Sequence, residues 1–148
     1  MRRFFLRFAV GLIFMPGVGY VSDARSEDTR IPVQLNETEY EFVLAEMRGF
    51  VESLQLIMSG LAAGDMKTVA DAAKRSGKLT ANNAPHTLGS KFPATFAALG
   101  GATHQLWDEV AAEAEDMGDK HEIIRQLGVL MNNCVTCHAS YRLVKETP

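Results

Sequence analysis

The chain has 148 residues, 47% of them hydrophobic and 22% charged, with 12 Gly and 5 Pro. Values so close to those of ordinary globular proteins exclude a disordered, collagen-like or multi-span membrane chain, and the length suits one domain. The formal net charge is −3 and there are two cysteines, Cys134 and Cys137; this excludes a disulfide-rich scaffold and a four-cysteine zinc site, and an acidic chain argues against a nucleic-acid binder.

Residues 1–24 read as an address rather than as part of a fold. Arg2, Arg3 and Arg7 give a basic start, Phe8 to Val21 an apolar run, and Ser22-Asp23-Ala24 small residues before a cleavage after Ala24. This is the layout of a secretory signal, and an apolar run interrupted by Pro16 and Gly17 is short for a membrane span. An uncleaved anchor is the alternative, and Arg2-Arg3 also resembles the start of a twin-arginine signal. Segment 1–24 holds three Arg and one Asp, so residues 25–148 carry 12 basic and 17 acidic residues, net −5. That charge suits an acidic exported domain and a basic partner.

Residues 25–35, polar and containing Pro32, read as an extended lead-in. Asn36 with Glu39 predicts a capping box opening a long first helix. Its apolar stripe runs through Tyr40, Val43, Leu44, Met47, Phe50, Val51, Leu54, Ile57, Met58 and Leu61 to a stop at Gly64. Asp65 caps a second helix whose weaker face is Met66, Val69, Ala70 and Ala73; Gly77 ends or bends it. Between Lys78 and Lys91 the pattern fails, and Pro85 and Gly89 predict loop. Pro93 suits the first turn of a third helix, with Phe96, Leu99, Thr103, Trp107, Val110 and Met117 on one face and Gly118 as its stop. Gly100-Gly101 in that span either faces something bulky or lies before the helix begins. Asp119 with Glu122 repeats the capping-box pattern, and Ile123, Ile124, Leu127, Leu130, Met131, Cys134, Cys137, His138 and Tyr141 line a fourth helix. No stretch alternates with period two. The expected fold is all-α, an antiparallel four-helix bundle over residues 25–148.

On a helix, Cys134, Cys137 and His138 are (i, i+3) and (i, i+4) neighbours and project from one face. Cys-x-x-Cys-His is the c-type haem signature: each thiol adds to a haem vinyl group, and the adjacent imidazole reaches the iron. Three other readings stay open. A thioredoxin-like redox pair needs a βαβ setting. A zinc site needs four ligands and would recruit His86, His104 or His121. A short-loop disulfide is allowed in an oxidising compartment. Covalent haem is attached after export of an unfolded chain, which makes Arg2-Arg3 ordinary basic charge rather than a folded-protein signal.

With the motif ten residues from the C-terminus and Ala139-Ser140-Tyr141-Arg142 following it, the chain resembles the class II c-type cytochromes, the cytochrome c-prime family. The helix pattern carries the resemblance over residues 36–145, and Cys134–Arg142 is its specific part. It implies one haem c on the C-terminal helix, with His138 as proximal ligand and Tyr141 and Arg142 one turn beyond, Arg142 near the haem propionates. A solvated cation at the helix end is the other reading of Arg142. The family divides into low-spin electron carriers with a first-helix methionine on the iron, and high-spin members whose open site binds NO or CO. Met47 stands close to the distal position, and a thioether is a suitable soft ligand that raises the potential; Met58, an empty site and His104 are the alternatives, with His104 read as a boundary residue. His86 and His121 read as surface residues. The family's arginine one turn before the distal position is missing: Val43 and Leu44 stand there, and the nearest arginine is Arg48.

The implied function is a periplasmic monohaem electron carrier cycling Fe(III)/Fe(II) with redox partner proteins. It would not be an enzyme, although incidental peroxidase activity is conceivable. After signal cleavage no membrane and no nucleic acid are expected as partners. The alternative is a binder of NO or CO. Phe42, Ala45, Gly49 and Leu56 on the back of the first helix suggest a homodimer face.

Overall fold

The computed structural model describes residues 27–147; the export-signal reading of residues 1–24 lies outside them. The elements are β1 (Ile31–Leu35), α1 (Glu37–Ala63), α2 (Met66–Lys74), α3 (Lys78–Ala81), α4 (Leu88–Lys91), α5 (Ala94–Asp116), α6 (Lys120–Ser140) and β2 (Tyr141–Lys145). The chain is mainly helical. Among the described residues, no helix is long and apolar enough to cross a membrane.

The caps set the helix ends. The Asn36 side chain accepts from the Glu39 N–H and the Glu39 carboxylate accepts from the Asn36 N–H, closing the capping box. Gly64, at φ 75°, ends α1 in the left-handed conformation that glycine adopts without a Cβ penalty. Asp65 caps α2 by accepting from the Thr68 N–H. At α6 only half of the expected box forms: Asp119 accepts from the N–H groups of His121 and Glu122, while its own N–H donates to the Glu113 carboxylate rather than to Glu122. The loop expected between Lys78 and Lys91 contains the single turns α3 and α4. Helix α5 runs through Gly100-Gly101, and nothing bulky packs there: a Cβ built at either would meet no atom within 4 Å.

The interior has two apolar clusters. The larger joins Ile57 and Leu61 of α1, Val69 and Ala73 of α2, Trp107 and Val110 of α5, and Ile123, Leu127 and Leu130 of α6. The smaller joins Val33 and Leu35 of β1, Val43 of α1, Leu88 of α4, Phe96 of α5 and Tyr141 of β2.

Two expectations are corrected. First, the lead-in forms a strand. β1 pairs with β2 in parallel, Ile31 opposite Tyr141 and Leu35 opposite Lys145. Pro32 is tolerated because each strand of a two-stranded pair has a free edge. Helix α6 therefore stops at Ser140, and Tyr141 and Arg142 lie on a strand rather than one helical turn beyond His138. Second, several stripe residues face solvent: Met58 is 58% exposed, Val51 66% and Met117 80%, with Ile124 and Met131 about half exposed. The buried residues of α1 are Val43, Ile57 and Leu61 of the expected stripe together with Glu39, Ser53 and Gly60, which lie beside it. Of the expected dimer face, Phe42 and Leu56 are half-buried against the two clusters, and Ala45 is exposed.

Candidate functional site

The last two turns of α6 carry Cys134, Cys137 and His138. Both thiols are free and half-buried, Cys134 against the larger cluster and Cys137 against the smaller. His138 is exposed. Asn133 ties this turn to α5, its amide donating to the Thr103 hydroxyl at 3.4 Å. Burial pushes both thiols above their ordinary pKa. A catalytic redox pair needs the opposite shift and is commonly placed at a helix N-terminus; here the pair closes a helix. No group of three or more His, Cys, Asp or Glu converges among the described residues, so the zinc alternative lacks its ligands. His86 and His121 are exposed, as expected.

Two adjoining cavities flank the motif. The larger, about 290 Å³, is lined by Arg30, Tyr40, Met47, His138, Tyr141 and Arg142 among others. The smaller, about 90 Å³, is lined by Glu46, Met47, Phe50, Cys134, Cys137 and His138 among others. Val43, Met47, Phe96, Cys137 and His138 border both. The larger lies near the lower end of the roughly 300–1,000 Å³ typical of ligand sites. Met58 borders neither, nor does His104.

His104 departs from the boundary position expected for it. It is 8% exposed. Its Nδ1–H donates to the Ser76 carbonyl at 2.8 Å, and Nε2 lies 3.6 Å from Glu46 Oε1. That carboxylate oxygen is buried with no hydrogen-bond partner. Burial raises the Glu46 pKa, and the neighbouring His104 opposes the rise. Tyr141 is buried; its hydroxyl bonds that of Thr95, and its ring stands edge-on to Phe96 at 5.2 Å.

The rim of the larger cavity is cationic. Arg30 binds both Asp28 oxygens through Nε and NH2, at 2.9 and 2.7 Å, and its NH1 donates to the His138 carbonyl at 3.2 Å. Those bonds hold the Asp28 carboxyl at about 2, below its ordinary 3.8. Arg142 Nε is buried without a hydrogen-bond partner and lies 3.9 Å from the same carboxylate. Two guanidinium groups thus share one aspartate. Arg48, the nearest arginine in sequence to the distal position, is exposed. Sequence reasoning missed Arg30 and Glu46: the first reaches the site only through the β1–β2 pairing, and the second occupies a buried position that reads as polar.

No family model, curated protein or solved structure matches the chain.

Proposed function

We propose that the chain is an exported c-type monohaem cytochrome of the class II kind, an electron carrier built as an antiparallel four-helix bundle from α1, α2, α5 and α6. The observation that carries this reading is the meeting of Cys137 and His138 from α6 with Met47 from α1 around the same two cavities, the smaller of which Cys134 also lines. The donor set suits haem c: two free thiols for the vinyl groups, an imidazole and a thioether as iron ligands, an apolar lining, and cations at the rim for carboxylates. Haem, when bound, supplies the one-electron Fe(III)/Fe(II) couple.

The chain's residues do the rest. Cys134 and Cys137, both free thiols, would hold the group covalently. His138 would supply an imidazole ligand to the iron, and the Arg30 bond to its carbonyl fixes the end of its helix. Met47 would supply a thioether to the iron. Arg142, with its unpartnered Nε, and Arg30 balance the charge of the propionates. Val43, Phe96 and Tyr141 exclude water. Because the thiols are half-buried in the folded chain, attachment before folding, after export to the periplasm, is the simpler order. Redox proteins are its partners.

The test is an optical spectrum after expression with a c-type maturation system. Covalently attached haem and a low-spin ferric spectrum with a sulfur–iron charge-transfer band are expected, and Met47→Leu turns the spectrum high-spin. Absence of covalent haem overturns the reading. A second reading, a binder of NO or CO, rests on the apolar side chains Val43, Phe50 and Phe96 that line the smaller cavity beside Met47. A high-spin spectrum in the unsubstituted protein that shifts with CO selects it.

A further inference from the structure

The mouth of the larger cavity carries more positive charge than its own lining balances. Arg30 and Arg142 both line it, and among the described residues no Asp or Glu does. The counter-charge comes from Asp28, which stands outside the lining, three residues before β1. It serves the two arginines unequally. Arg30 takes both carboxylate oxygens, and the Arg30 backbone N–H donates to Oδ1 as well, at 3.2 Å. Arg142 receives the remainder: its Nε lies 3.9 Å from Oδ2, makes no hydrogen bond and is buried. A buried donor without an acceptor costs the desolvation of that group, and a guanidinium is shaped to receive a carboxylate.

Asp28 is placed to leave. Its side chain is 44% exposed, and Arg30 is only two positions away, so their pairing is local and precedes β1. Exposed ion pairs of this kind contribute little to stability. Losing it would break none of the β1–β2 pairing, which begins at Ile31. Arg30 would stay at the mouth, because its NH1 donates to the His138 carbonyl independently of Asp28. A second carboxylate, arriving in the cavity, would meet the Arg142 Nε that Asp28 leaves unbonded and would compete for Nε and NH2 of Arg30. Charge-assisted bonds of this type are the strong ones.

We propose that Asp28 is a placeholder: it holds the guanidinium groups of Arg30 and Arg142 at the cavity mouth and yields them to a carboxylate of the group that enters. That the entering group is haem rests on the function proposed above. The exchange itself needs only a carboxylate on an apolar body that fits beside Tyr40, Phe96 and Tyr141.

Two measurements test it. In the first, phenylpropionate is titrated into the full chain carrying Cys134→Ala/Cys137→Ala, with neutral phenylpropionamide as control, and NMR is the readout. Saturable shifts are expected at the Arg142 Nε–H and at the Asp28 carboxyl carbon with the acid and not with the amide. Asp28→Asn tightens binding of the acid several-fold, and Arg142→Gln weakens it several-fold. An aspartate that instead aimed Arg30 at the ligand would give the opposite sign. Weaker or unchanged binding in Asp28→Asn, or no shift with the acid, overturns the proposal. The second measurement uses the haem-loaded protein with its cysteines intact, in the ferrous state. There Asp28 is expected to titrate near its ordinary 3.8, since Arg30 has left it; a value still at about 2 overturns the exchange. Where circular dichroism shows the substituted chain unfolded, the loaded protein decides alone. Covalent haem with no effect of Asp28→Asn removes the placeholder and leaves the proposed function. Tighter binding in Asp28→Asn without covalent haem removes the proposed function and leaves the exchange.

Discussion

Glu39 shows how a single charge ties the ends of the chain together. Its side chain is 1% exposed, yet it accepts from the Asn36 N–H and from the Thr87 hydroxyl at 2.6 Å, and it pairs with Lys91 at 2.8 Å. Lys91 also reaches Glu146 just beyond β2. These bonds, the Lys91 bond foremost, lower the Glu39 carboxyl to about 2 from an ordinary 4.5. A carboxyl depressed by folding stabilises the fold above its unfolded pKa and ceases to do so as pH falls through its folded pKa. The contribution is therefore complete above pH 4.5 and lost between 4.5 and about 2. Denaturant midpoints measured across that interval are expected to fall less steeply in Glu39→Gln than in the parent; equal slopes refute the assignment. At this scale, legibility in sequence followed distance along the chain. Cys134, Cys137 and His138 declare themselves because their spacing is local. Arg30 is separated from His138 by 108 positions, and nothing around it in the sequence marks it as a site residue.

The helices were legible because their signals are local: the Asn36 box, the Asp65 cap and the glycines at 64 and 118 stand where the structure ends or begins helices. The strands were not. β1 does alternate, with Val33 and Leu35 buried and Pro32 and Gln34 out, but over five residues with a proline this is too little to distinguish a strand from an extended lead-in. What makes it a strand is a partner at the far end of the chain. Leu35 is fully buried, and its carbonyl accepts from the Glu146 N–H. Leu35→Ala is expected to cost about 2–5 kcal/mol, as for other buried leucine truncations, and to loosen Tyr141 with it; a near-neutral denaturation midpoint would show that β1 does not hold the site. Gly60 makes a similar point for α1 and α2. A Cβ there would lie 2.9 Å from Val69 Cγ2 and 3.0 Å from the Asp65 carbonyl oxygen. Gly60→Ala should therefore destabilise by roughly 1–3 kcal/mol through overpacking, against a helix-propensity gain of about 1 kcal/mol. Thermal denaturation gives the sign, and a stabilised variant would mean that the two helices can separate at little cost.

Across the molecule, the two apolar clusters divide structural from functional work. The larger holds Trp107, Ile57, Val69, Ile123 and Leu130, none of which borders the cavities beside the motif. The smaller holds Val43, Phe96 and Tyr141, all of which border the larger cavity, with Met47 and Cys137 packed on its edge. A cavity leaves its lining without partner atoms on one side, which forfeits dispersion contacts, so the smaller cluster is the less stabilised of the two until something fills it. Local opening free energies vary across a fold in this way. Hydrogen exchange on a Cys134→Ala/Cys137→Ala chain is therefore expected to be slow for the amides of Ile57, Val69, Val110 and Leu127, and faster for those of Val43, Phe96 and Cys137's neighbour His138. Under the proposed haem reading, the second group should slow toward the first once the group is attached, because a ligand bound only by the native state stabilises what it touches. Uniform protection of both groups in the unloaded chain would mean that the cavity end is self-sufficient, and would remove the reason for the order of attachment before folding.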